Sequence, residues 1–184
     1  MKPGAYVVGR HLAMSGLASL GVHQFIVLAP EFPQRFGFTT RDLGDGSLGI
    51  VIGAYDIGGR LRAEQFAPSD CQTLQQLLKS KTGKLAGVQT AKVNLELTVC
   101  LVAMDYGLQR IMRTALSYNG QEAKKPLAYP AGLGGQLSPN CRNSNSWAQT
   151  VIELAVGKGA VIEDFEGADL CSDKRIDPAY FRAD

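Results

Sequence analysis

Two runs rich in apolar residues constrain this chain most. Val22 to Ala29 (VHQFIVLA) is rich in apolar and β-branched residues and ends at Pro30. Leu48 to Ile57 (LGIVIGAYDI) is a second such run, closed by Gly58-Gly59. Runs of this length bounded by turn residues predict strands rather than helices. Arg60 to Phe66 follows the turn as a third strand. Lys92 to Val102 alternates in part, through Val93, Leu95 and Leu97, and predicts another.

Helical spacing appears elsewhere. Cys71 to Lys79 predicts a helix with Ser69 or Asp70 as its N-cap. Asp105 to Leu116 repeats Leu108, Ile111, Met112 and Leu116, and the turn signal Asn119-Gly120 closes it. Asn140 to Val156 carries Trp147, Val151 and Leu154 as one apolar row, joined by Ala148, Ile152 and Ala155. Between these two helices, Gly120 to Pro139 reads as a long loop, a feature often tied to function. Tyr180-Phe181 are placed to pin the tail to the body. The mixture predicts an α+β fold. With 184 residues, the chain is long enough for a single domain, 1–184, with a core that needs no staples.

Charge and cysteine usage narrow the function. Lys+Arg is 19 and Asp+Glu is 17, a net charge of +2, too weak a balance to argue for nucleic acid. No stretch reaches the about 18 apolar residues of a membrane span. Leu12 to Val22 mimics a signal peptide, but Gly16 and Gly21 interrupt it and no small-residue cleavage site follows, so an uncleaved segment is expected. Cys71, Cys100, Cys141 and Cys171 are spaced by 29, 41 and 30 residues, which matches neither a zinc site nor a dense disulfide framework. Reduced thiols and no metal or other cofactor are the expectation. The glycines at 132–135 lack a Walker lysine. Ser144 and Ser146 lack the G-x-S-x-G elbow. Lys79, Lys81 and Lys84 read as a solvated face. Tyr118, Tyr129 and Trp147 suit a sugar-stacking role or, more simply, a core.

Cys141 is the strongest candidate for chemistry. It sits at the start of a helix, where unpaired N–H groups and the helix dipole favour a thiolate and an oxyanion. Asn140, Asn143, Ser144 and Asn145 are expected to keep its surroundings wet. A thiol nucleophile needs a base. His23, opening an apolar strand, is the candidate. His11 is the rival, in a small-residue segment with no element to aim it. Cys141 is then barred from a disulfide, so any bridge is expected among Cys71, Cys100 and Cys171, and its pKa should lie below about 8.5. The alternative is that Cys141 is a small residue packed at a helix start.

The order of these elements, GVHQFIVLAP first and NCRNSNSWAQTVIELA late, resembles the circularly permuted branch of the papain-like, NlpC-type cysteine hydrolases. The match covers two segments. The resemblance implies a permuted papain-like fold, with the nucleophile helix packed on a central antiparallel sheet that opens with the His23 strand. It also implies amide hydrolysis of bacterial peptidoglycan peptides through an acyl-cysteine. Small members include type VI secretion amidase effectors, made in the cytoplasm, acting in the periplasm of a target cell and paired with an immunity protein. The family places a third polar residue on the strand after the histidine. Asp56 is the acid there, with Tyr55, Glu64, Gln65 or a backbone carbonyl as alternatives. Two other functions stay open: an acyltransferase or thioesterase on the same fold, similar to the lecithin retinol acyltransferase-like proteins, and a catalytically silent binding module.

Overall fold

The structure is a computed structural model that describes residues 1–12, 21–95, 101–131, 135–160, 165 and 171–182. The apolar stretch at 12–22 falls partly outside them, as do Cys100 and part of the strand predicted at 92–102, which is corrected at its end: Leu101 and Val102 are helical. Strands β1 (Gly4–His11), β2 (Val22–Ala29), β3 (Arg41–Asp42), β4 (Leu48–Ile57), β5 (Arg60–Gln65) and β6 (Val88–Lys92) form one sheet. Its order is β3-β4-β2-β1-β6, with β5 also paired to β4. The pairings are antiparallel. The α+β class and the antiparallel sheet agree with the sequence reading. The His23 strand is not the first, however. β1 precedes it and pairs along its whole length, His11 opposite Val22 and Arg10 opposite His23.

Period-two alternation gives the sheet two buried faces. On one, Ala5, Val7, Ile26, Leu28, Ile50, Ile52 and Leu61 meet the helices α2 (Leu101–Lys124) and α3 (Ser144–Ala155). On the other, Val8, Phe25, Val27, Ala29 and Val51 meet Leu74 of helix α1 (Pro68–Lys79). Burial on both sides explains why β2 is buried throughout and apolar from Phe25 to Ala29.

Two helix boundaries and one helix face differ from expectation. Helix α1 starts at Pro68, whose fixed φ suits a first helical turn, and Ala67 is its cap. Helix α2 runs through Asn119-Gly120 to Lys124. Tertiary bonds override the turn signal: the Asn119 amide brackets Ala63 of β5, accepting from its N–H at 2.9 Å and donating to its carbonyl at 2.7 Å. One turn later the buried Glu122 carboxylate accepts two bonds from Arg60, each 2.8 Å. In α3, Trp147, Val151, Ala148, Ile152 and Ala155 are buried, whereas Leu154 is exposed. Tyr180 and Phe181 pin the tail as expected, their ring centroids 6.1 and 5.2 Å from that of Tyr118. Among the described residues, no helix is long and apolar enough to cross a membrane.

Candidate functional site

The candidate residues fall in two polar clusters, one at the start of α3 and one beneath α1. The first holds Cys141, three residues before α3. Its sulfur is bonded to that of Cys171, across a sequence separation of 30 and a Cα–Cα distance of 5.8 Å. This overturns the expectation of a free thiol at Cys141 and of a bridge confined to the other cysteines. A sulfur in a disulfide has no thiolate to attack with, so the Cys141 nucleophile is absent in this state. Both cysteines are buried, at 2% and 7% exposure, which bars a large substrate from the sulfur.

The polar residues around Cys141 are not a wet face either, apart from exposed Asn140. Asn143, Ser144, Asn145 and Ser146 are buried, and each forms bonds within the protein. Asn143 is the N-cap, its Oδ1 accepting from the N–H groups of Asn145 and Ser146 at 2.9 and 3.2 Å. Its Nδ2 donates to Gln136 Oε1 at 2.9 Å. Ser146 Oγ donates to the Cys171 carbonyl at 2.7 Å. Ser144 Oγ donates to Asn145 Oδ1 at 3.3 Å. That same Oδ1 accepts from the Gln24 N–H at 2.9 Å, docking the helix start onto β2. Gln149, one turn on, donates to Gln24 Oε1 at 2.9 Å.

His23 belongs to the second cluster. It shares its face of β2 with Phe25 and Val27, the face covered by α1, whereas Gln24, Ile26 and Leu28 face α3. Its Nε2 lies 3.2 Å from Oδ2 of Asp70, the second residue after Pro68 in α1. A carboxylate only accepts, so Nε2 carries the proton. Arg10 Nε donates to Asp70 Oδ1 at 3.3 Å, and the Tyr55 hydroxyl donates to Oδ2. Asp70 is fully buried, so these three donors are what make its charge tolerable. Gly53 provides the space: a Cβ there would stand 2.8 Å from Asp70 Oδ2. Burial, then the adjacent Asp70 charge, push the Tyr55 phenol far above its ordinary range.

The expected dyad is therefore not assembled. The Cys141 sulfur is committed to Cys171, and the His23 ring is committed to Asp70, with Tyr55 tilted against it at 4.9 Å between centroids. Asp56 does not orient the histidine. Its Oδ1 accepts from the Gly59 N–H at 2.7 Å and closes the β4–β5 turn. Tyr55, an alternative on the same strand, does reach the histidine's partner, but Asp70 was visible in the sequence only as a helix-start acid. His11 ends β1 and has an aiming element after all, with its buried Nε2 unpartnered. Cys71 is the free cysteine among the described residues, and burial followed by the Asp70 charge raises its pKa, which keeps it a thiol at neutral pH. The described residues hold no cluster of three or more metal-ligating side chains.

Comparison with known proteins adds no assignment: no family model, no curated protein and no solved structure matches the chain.

Proposed function

We propose that this chain is a binding domain in which Cys141 is structural, working in an oxidising compartment such as the bacterial periplasm. The observation that carries this reading is the Cys141–Cys171 bond, buried together with the helix cap it adjoins. Disulfides persist where the surroundings are oxidising and are rare in the cytosol. The His23–Asp70 pairing supports the same reading, because it ties the histidine of the resemblance to α1 instead of to the start of α3. The ligand class we propose is bacterial cell-wall peptide, on the strength of the two segments that resemble the NlpC-type hydrolases.

The test uses oxidised protein and purified sacculi. Retention of the protein in the sacculus pellet, with no new peptides released by mass spectrometry, is the expected result. Release of amide-cleaved fragments that disappears in a Cys141→Ala variant would restore the hydrolase and overturn the binding reading. Retention no greater than that of an unrelated protein of similar charge would remove the cell-wall ligand.

A further inference from the structure

The disulfide does more than join two distant residues, because its neighbours form a chain of bonds that ends on the sheet. Gln136 lies at one end. Its backbone carbonyl is 3.2 Å from the Cys171 sulfur, and its side-chain Oε1 is 3.7 Å from the Cys141 sulfur. That Oε1 also accepts from Asn143 Nδ2. Asn143 caps α3 and so holds the N–H groups of Asn145 and Ser146. Cys171 holds the same turn from the other side, through its carbonyl and Ser146 Oγ. Asn145 then completes the sheet: the β2–β4 ladder begins at Phe25 opposite Gly53, and Asn145 Oδ1 takes the Gln24 N–H just beyond it.

Cys171 is held in an unfavourable backbone conformation. Its φ is +67°, in the left-handed region that residues with a Cβ seldom occupy. The bond to Cys141 is the covalent restraint on that residue. Cutting it frees Cys171 to relax toward negative φ, and the relaxation carries its carbonyl away from Ser146. Outliers of this kind persist only where the surroundings over-determine them.

We propose that the Cys141–Cys171 bond is a redox latch: oxidised, it docks the first turn of α3 on the end of β2; reduced, it releases that turn and the Gln24 amide together. The reductant is a dithiol. One of its thiolates attacks a protein sulfur and forms a mixed disulfide, its second thiol resolves that bond, and two protein thiols and one oxidised dithiol result. The reverse exchange, with a disulfide oxidant of an oxidising compartment, closes the latch. A chain made in a reducing cytosol would thus complete its α3–β2 junction only after leaving it. This inference rests on the bond and its neighbours and is independent of any cell-wall ligand.

Hydrogen exchange read residue by residue tests it on the free protein, compared oxidised, reduced with dithiothreitol, and as a Cys141→Ser/Cys171→Ser variant. The expected result is a loss of protection of about 10-fold or more at Gln24 and residues 145–147 in both unlatched forms. Ile26, Val27 and Leu28 in the centre of the sheet should change by less than about 3-fold. A Cys71→Ala variant should behave as the parent in both redox states. Unchanged protection at the helix start on reduction would overturn the proposal. An equal loss over the whole sheet would overturn it too, since the bond would then be a general staple and not a latch on one junction.

Discussion

Replacing both Cys141 and Cys171 by alanine should cost this domain a measurable fraction of its stability, and the size follows from the chain it closes. The bond links residues 30 apart. In the chain-entropy account, a loop of that length restrains the unfolded state by about 3.7 kcal/mol. Relief of the left-handed conformation at Cys171 returns roughly 1 kcal/mol of this. The net loss expected is about 2–3 kcal/mol, against a total of roughly 5–15 kcal/mol for an ordinary domain. At about 2–4 °C per kcal/mol for a chain of this size, the melting temperature should fall by about 5–10 °C. Urea unfolding and calorimetry both read it, and the parent protein measured in reductant should match the double variant. A loss under about 1 kcal/mol would refute the reasoning, as would a reduced parent as stable as the oxidised one.

Asp70→Ala should destabilise by about 2–4 kcal/mol in urea unfolding, because it leaves the buried His23 and the partly buried Tyr55 and Arg10 without their acceptor. The raised pKa values of Tyr55 and Tyr118 fix a sign: both phenols stay neutral when folded and ionise near pH 10 when unfolded. Their contribution is therefore complete below about pH 10 and is lost above it, by about 1.4 kcal/mol per pH unit for each group. Tyr55→Phe should flatten the alkaline fall in a pH series of unfolding midpoints, and an unchanged slope would contradict the assignment. Asp56→Asn should shift stability by less than about 1 kcal/mol, because an amide oxygen can still accept from Gly59 in the turn.

The strands at Val22–Ala29 and Leu48–Ile57 were legible to the residue, because β-branched runs closed by Pro30 and by Gly58-Gly59 leave little freedom in where a strand stops. The same feature hid the site. A strand buried on both faces gives no polarity signal for which face His23 takes, and a choice of face decides whether it meets α1 or α3. β1 was missed because Gly4, Gly9 and Arg10 dilute its apolar character, although Ala5, Val7 and Val8 alternate between the two cores. Asp70 looked like a cap because a lone acid near a helix start usually is one. Its partner His23 lies 47 positions away, a separation that no local pattern encodes. The disulfide was illegible for a similar reason: four cysteines allow several pairings, and only the fold brings Cys171 back to Cys141. The NSNS segment was legible as polar but not as buried, since its bonds to Gln24 and Cys171 cross 121 and 25 positions of the sequence.

The central claim is that Cys141 is a structural half-cystine. Peptide mapping of native protein alkylated with iodoacetamide at neutral pH, without reductant, tests it most directly. The account predicts a peptide pair joined through Cys141 and Cys171 that is separated only by prior reduction, with no label on either sulfur. Rapid, stoichiometric alkylation of Cys141 in the unreduced protein would contradict it and return that residue to the role of nucleophile.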